Sequence, residues 1–345
     1  MSVNERPGVY SSYEVTSALY GREKGKAVGV AGIAAKGKVG TVSRVNSYAE
    51  GLEQFGQCDL SELIRVLLKN GAAAIYAVPV SIGGAAVKTD YASAFSALMA
   101  QPEIGYMLCD SREQTVHGAM LEAIGGGDEQ SKYRIGIVEG DGNREALCTH
   151  AKALNSERMV LLCGVETDGV PGATAAAVAG VLSGQTDPAL PLGGAVLSGL
   201  GDLGAAWSDS DINTLVQAGV SPVERIGETV SVVRGVTTRT TTGGAADTTW
   251  RDLTTVLIVD DVLPAVRDSL RTRFSRTKNT AQTRGAIRTQ VIIELERKMA
   301  AQIIDGYGNV SVTADENDPA VCHVAFAFQV VHGLNRIELV AHITV

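Results

Sequence analysis

Nucleophilic, metal and cofactor chemistry each need particular residue types at particular spacings, and the 345-residue sequence offers few such groupings. Gly199-Leu200-Gly201-Asp202-Leu203-Gly204 matches the G-x-G-x-x-G pattern, with Glu224 downstream. In a dinucleotide site those glycines let the backbone approach a pyrophosphate where a first strand turns into a helix. Here the segment follows Pro188, Pro191, Gly193 and Gly194, a loop-like stretch outside any strand-to-helix rhythm. A loop is the expectation, and an NAD(P)-dependent α/β oxidoreductase is kept as the rival function. The sequence has no G-x-x-x-x-G-K-[ST] phosphate loop, no G-x-S-x-G nucleophile elbow and no H-E-x-x-H zinc motif. His117, His150, His323, His332 and His342 lack ligand spacing. Cys58, Cys109, Cys148, Cys163 and Cys322 are scattered without a C-x-x-C pair, which points to reduced, mostly buried thiols. Asp260 and Asp261 are adjacent, so on a helix they diverge by about 100° and cannot share a proton; a cap or a solvated face is expected. The expected catalytic, cofactor-binding and metal-binding residues are therefore none.

One charge pattern stands out. Arg267, Arg271, Arg273, Arg276, Lys278, Arg284 and Arg288 lie within a short span against Asp268 alone. That is a local charge of +6 in a chain of −8, which leaves −14 for the remainder. Solvated helix faces usually mix signs, so the cluster reads as a docking surface for an acidic protein. The overall negative charge argues against direct nucleic-acid binding, which leaves a basic footprint.

The elements that must position these residues follow from periodicity. Apolar runs at 27–35, 73–80, 104–109, 133–138 and 158–163 alternate with helical patterns at 48–69, 91–99, 114–124 and 144–154. Leu60, Leu63, Ile64, Leu67 and Leu68 form an i, i+3, i+4 stripe closed by Asn70-Gly71, with Asp59 or Ser61 placed to cap its start. Repeated strand–helix–strand units imply an α/β fold with a parallel sheet. The 169–201 stretch, with Asp187 as its single charge, is built from Gly, Ala and Pro and lacks the transfer energy of a spanning helix, so no membrane insertion is expected. The first residues lack an apolar core, so no signal peptide is expected either. After residue 205 the rhythm changes, with a domain boundary near Arg225: strands at 220–223 and 229–234 precede two long helices, 250–274, which Pro264 should kink or restart, and 283–305. The second carries Ile287, Val291, Leu295, Met299 and Ile303 on one stripe and a Glu294–Lys298 pair outside. Strands at 309–313, 321–331 and 336–345 close an α+β unit.

Both ends read as extended. Ile337, Leu339, Ala341, Ile343 and Val345 alternate with Arg336, Glu338, Val340, His342 and Thr344 after a hinge-like His332-Gly333-Leu334-Asn335. Val9, Tyr10, Tyr13 and Val15 give residues 9–16 a similar character. Such segments either tuck into their own sheet or add a strand to a neighbouring subunit.

The order of parts is Arg6-Pro7-Gly8-Val9-Tyr10, an α/β region, Gly235-Val236-Thr237-Thr238, Trp250-Arg251-Asp252-Leu253, Gly306-Tyr307-Gly308 and a terminal β segment. It resembles the contractile tail sheath proteins of bacteriophages and phage-tail-like bacteriocins, most strongly from residue 220 onward. The resemblance implies a non-enzymatic structural subunit in four parts. These are an N-terminal linking arm (1–26), an outer α/β domain (27–225), an α+β domain facing an inner tube (226–332) and a C-terminal linking arm (333–345). Its partners would be further copies of itself, an inner tube protein, and baseplate and tail-terminator proteins. The arms would add strands to a neighbour near 321–331, and the basic cluster would meet the tube. Energy for contraction would lie in a metastable lattice, with no cofactor. Assembly in the bacterial host cytoplasm and release as a tail particle would follow. Another self-assembling shell or tube protein is the second rival.

Overall fold

The computed structural model describes residues 25–126, 133–164, 169–204 and 207–334. The sequence folds first as an alternation: β1 (Ala27–Ala34), β2 (Ser43–Val45), α1 (Tyr48–Phe55), α2 (Asp59–Lys69), β3 (Ile75–Ile82), α3 (Lys88–Met99), β4 (Ile104–Cys109) and α4 (Gln114–Gly125). It continues through β5 (Ile135–Glu139), α5 (Arg144–Leu154), β6 (Met159–Cys163), α6 (Ala173–Gly184), β7 (Val196–Leu197), α7 (Asp209–Gln217), β8 (Val220–Ile226) and β9 (Thr229–Val232). These strands make one sheet in the order β2-β3-β1-β4-β5-β6-β8-β9-β7. The run from β3 to β8 is parallel, and β2, β9 and β7 join antiparallel. β1 lies between β3 and β4, so the strand order reverses there, as in doubly wound folds. The sheet runs past residue 225 to Val232.

Both faces are covered, which is why β1, β4, β5 and β6 are continuous apolar runs instead of alternating ones. One core holds Leu60, Leu63, Ile64 and Leu67 of α2 with Ala175–Ala179 of α6; the other holds Phe95 of α3, Met120 of α4 and Leu147 of α5. The single helix expected over 48–69 is two, because Gly56 at φ +76° turns the chain and Cys58 and Ser61 cap the restart. The Ser61 hydroxyl accepts the Cys58 N–H at 3.0 Å. In the Gly/Ala stretch α6 is buried on ten of its twelve residues, a core helix with no polar face to reveal it. All five cysteines are free, with Cys109 and Cys163 buried.

A small hairpin, β10 (Thr241–Thr242) and β11 (Ala245–Ala246), precedes the second unit: α8 (Leu253–Phe274), α9 (Ala281–Ala300), β12 (Ile304–Ala314) and β13 (Cys322–Val330). Several expectations are corrected here. α8 is continuous through Pro264 and does not restart there. α9 ends at Ala300, and Gln302 at φ +58° turns the chain straight into β12, so Ile303 leaves the helical stripe. Glu294 is buried and takes hydrogen bonds from Ser269, Gln290 and Arg297, while Lys298 pairs with Asp261 across the helices; the Glu294–Lys298 pair does not form. Asp260 is buried instead of solvated, paired with Arg158 at 2.5 Å. No helix among the described residues is long and apolar enough to cross a membrane.

Candidate assembly surfaces

The second unit is a helical hairpin laid on a β hairpin. Ile258, Val262 and Val266 of α8 and Val291 and Leu295 of α9 meet Ile304, and Val310, Val324, Phe326 and Phe328 pack on them from β12 and β13. Along β13 exposure alternates strictly, one face on the helices and one in solvent. β12 and β13 form a sheet of their own, and among the described residues neither pairs with a third strand on its outer edge. An exposed edge of this length is a template for strand addition. At the turn, Asp315 accepts from His323 at 2.7 Å and from the backbone N–H groups of Asn317 and Asp318 at 2.8 Å each, contacts that hold its carboxyl down at about 2.

The basic cluster gathers at the far tip of the helical hairpin. Arg267, Arg271 and Arg273 lie on the last turns of α8, Arg276 and Lys278 in the connection, and Arg284 and Arg288 on the first turns of α9. The cluster is divided between two helices and their connection, because α8 stops at Phe274. Three of the seven have structural partners. Arg267 donates to the Tyr133 hydroxyl at 2.8 Å and stands over its ring, Arg284 donates to Asn279, and Arg288 donates to the Val310 carbonyl. Arg271, Arg273, Arg276 and Lys278 are exposed and pair with no carboxylate among the described residues. Arg271 and Arg273 suit the negative end of α8. Arg284 and Arg288 oppose the positive start of α9, which has no acid in its first turn. Their hydrogen bonds to Asn279 and to the Val310 carbonyl give both a part in the fold, so the charge left without a folding role is that of Arg276 and Lys278 in the connection. Asn279 ties the tip to the β turn by donating to the Pro319 and Val321 carbonyls.

The opposite place to look for chemistry is the C-terminal edge of the parallel sheet, where open α/β sheets bind ligands. The chain fills it with its own carboxylates. Asp110, at the end of β4 beside the switch point, accepts from the Tyr91 hydroxyl at 2.6 Å and the Ile33 N–H at 2.6 Å. Burial pushes its carboxyl up to about 6. Glu139, at the end of β5, accepts from the N–H groups of Gly172 at 2.9 Å, Thr174 at 2.5 Å and Ala175 at 3.4 Å, and from Arg112 Nε at 3.0 Å. The start of α6, where a phosphate would sit, is thus occupied by a side chain. The 199–204 glycine segment lies elsewhere. It follows the two-residue antiparallel β7, with Gly199 close to Lys69 and Arg65 of α2, and does not connect a parallel strand to a helix. Among the described residues no group of His, Cys, Asp and Glu is arranged to hold a metal ion. Asp110, Glu139 and the His117–His150 pair escaped the motif search because each is assembled from residues far apart in sequence.

The expected arms fall outside the described residues: Val9, Tyr10, Tyr13 and Val15 at one end, Ile337, Leu339, Ala341, Ile343 and Val345 at the other. Their roots are in view. Gly25 and Lys26 enter beside the 185–188 loop, and Leu334 leaves beside Leu190 and Pro191. Gly333 is a close contact, not a free hinge: a Cβ there would lie 2.4 Å from Pro191 Cγ.

The β hairpin with its open edges falls within residues 245–344, which match the family model of the phage tail sheath C-terminal domain. This part of the chain is similar to the C-terminal domain of phage tail sheath proteins. The chain is 27% identical over 236 residues to the tail sheath protein of Bacillus phage SP01. That match takes in 62% of this chain and 39% of the relative, so the chain spans well under half the length of the curated sheath it matches. In fold it is similar to a chain of the anti-feeding prophage baseplate (TM-score 0.75, 18% identity, 99% of this chain and 100% of that one). It is likewise similar to the sheath tail protein of Desulfitobacterium hafniense (TM-score 0.71, 12% identity, 94% and 100%). A third is the contracted helical sheath of the anti-feeding prophage (TM-score 0.71, 16% identity, 99% and 99%). The resemblance to contractile tail sheath proteins, and the α/β fold with an α+β sheath domain, are borne out.

Proposed function

We propose that this protein is the structural subunit of a contractile tail sheath. It polymerises around an inner tube by strand donation and contracts from a metastable extended lattice to drive that tube through a target envelope. The observation that carries this reading is the two-stranded β12–β13 sheet, one face packed and neither outer edge paired among the described residues, within the region that matches the sheath family model. Residues 9–16 and 336–345 supply the added strands, and burying the five apolar side chains of the latter contributes roughly 6–12 kcal/mol gross before ordering costs. The helical-hairpin tip, carrying Arg271, Arg273, Arg276 and Lys278 with no carboxylate partner among the described residues, docks on an acidic tube. Arg267, Arg284 and Arg288 hold the tip in shape as well as adding charge. The α/β domain faces outward, and baseplate and terminator proteins meet the ends of the stack. The chain acts as a scaffold without a cofactor, assembled in the host cytoplasm before the particle is released. The filled C-terminal edge of the sheet disfavours the oxidoreductase reading.

Deletion of residues 337–345 tests it. The truncated chain is expected to stay folded and soluble with the thermal unfolding of the parent, yet to form no rods by negative-stain microscopy. Rods of normal length from the truncated chain would refute strand donation by this segment. Unfolding of the truncated chain would show that the segment completes its own domain.

A further inference from the structure

Inside the helical layer formed by α4 and α5 lies a polar pair that none of the proposed assembly contacts involves. His117 of α4 and His150 of α5 are both buried, and their rings stack with centroids 4.9 Å apart and planes 14° apart. His117 Nδ1 lies 3.0 Å from His150 Nε2, and His117 Nε2 lies 2.8 Å from the Ser111 carbonyl. A carbonyl only accepts, so His117 Nε2 carries the hydrogen, its Nδ1 is bare, and His150 Nε2 donates to it. Both rings are neutral in this arrangement. A second proton on His117 must go to Nδ1, which sets N–H against N–H across the same 3.0 Å unless His150 also moves its hydrogen from Nε2 to Nδ1.

We propose that the His117–His150 pair is a proton-operated latch: neutral, it ties α4 to α5, and on acidification it opens and loosens the outer helical layer of the α/β domain. Burial lowers the affinity of both rings for a proton, that of His117 to about 4, against the opposing pull of the Ser111 carbonyl; a charge on His150 would lower it further. Surrounding groups are committed elsewhere. Before α4, Asp110 is held by Tyr91 and Ile33, Arg112 by Glu139, and Glu113 meets the Thr115 hydroxyl. On α5 and α7, Arg144 pairs with Glu145 and Asp211, and burial raises the Cys148 thiol. On α3, Asp90 accepts the Val87 N–H; Lys88, Glu122, Lys152 and Asp209 point to solvent. No carboxylate is therefore placed to hold either ring charged.

The sign follows from proton uptake. A ring that binds its proton near 6.5 when released and near 4 when latched favours the open form as pH falls. Between pH 7 and pH 5 the opening constant rises about twentyfold for His117 alone. Asp110 works the other way, gaining its proton near 6 in the folded state, so global unfolding blends the two and a local readout is needed. Hydrogen exchange of the full chain, corrected for intrinsic rates, should show peptides of α4 and α5 opening roughly twentyfold more at pH 5 than at pH 7. Peptides of α2, on the other face, should not change. In H117Q/H150Q the glutamine amides can repeat the hydrogen bonds without titrating, and the rise should vanish. An equal rise in that variant, or none in the parent, overturns the proposal. If the double variant does not fold, imidazole NMR of the parent decides. Both rings neutral at pH 6, with the His117 hydrogen on Nε2 and titration tracking the exchange, supports the latch. Rings titrating near 6.5, as free histidines do, overturns it.

Discussion

Removing the Glu139 carboxylate should be among the most damaging single changes in the α/β domain. Its oxygens take three backbone N–H groups at the start of α6 and the Arg112 guanidinium, and its side chain is 1% exposed. A hydrogen bond to a charged group contributes about 1.5–3 kcal/mol, and a favourable charge at a partly buried helix start up to about 2 kcal/mol. α6 is nearly all buried, so water cannot replace the lost acceptor without opening the core. Arg112 is partly exposed and can turn outward, which trims the loss. Glu139→Ala is therefore expected to lower unfolding stability by about 3–5 kcal/mol in urea titration. Glu139→Gln, which keeps one acceptor oxygen and loses the charge, should cost about 1.5–3 kcal/mol. The alanine variant should also gain an empty anion site, so sulfate should raise its unfolding midpoint more than that of the parent. Both variants within about 1 kcal/mol of the parent would refute the claim that Glu139 plugs this helix start.

The hairpin tip makes a different prediction: R271E/R273E/R276E should leave thermal unfolding unchanged and abolish cosedimentation with tubes, whereas equal tube binding would remove these residues from the interface. Binding of the parent should also weaken steeply with salt, because the charges are exposed. Arg158→Ala should destabilise the chain by about 3–5 kcal/mol in the same urea titration, because it leaves the buried Asp260 carboxylate without its partner. A second substitution, Asp260→Asn, should recover part of that loss.

How much of this was legible in the sequence depended on how each element meets water. The α2 stripe was readable because one face of α2 is buried and the other wet. α6 was not, because a helix buried all round shows no period, and its Gly and Ala composition resembles a loop. The basic cluster stood out because its residues are close in sequence, but the stop at Phe274 that splits it between two helices depends on tertiary packing. Asp260 was misread because a lone acid beside another looks like a surface pair. Its partner Arg158 lies 102 residues away, on the segment leading into β6. The Glu139 plug and the histidine pair were illegible for the same reason, each closing a gap between elements that only the sheet order brings together.

The contact between Gly333 and Pro191 has a mechanical consequence. A pull on the chain beyond Leu334 runs through residues 331–334 to the end of β13 at Val330, past the close approach of Gly333 to Pro191. Part of it can press on the 185–191 loop, between the end of α6 and β7. That loop continues from α6, a helix packed in the core of the sheet, so the exit of the chain is braced against the α/β region as well as joined to the hairpin. If copies are joined through this segment as proposed, force between them would reach both units of the subunit.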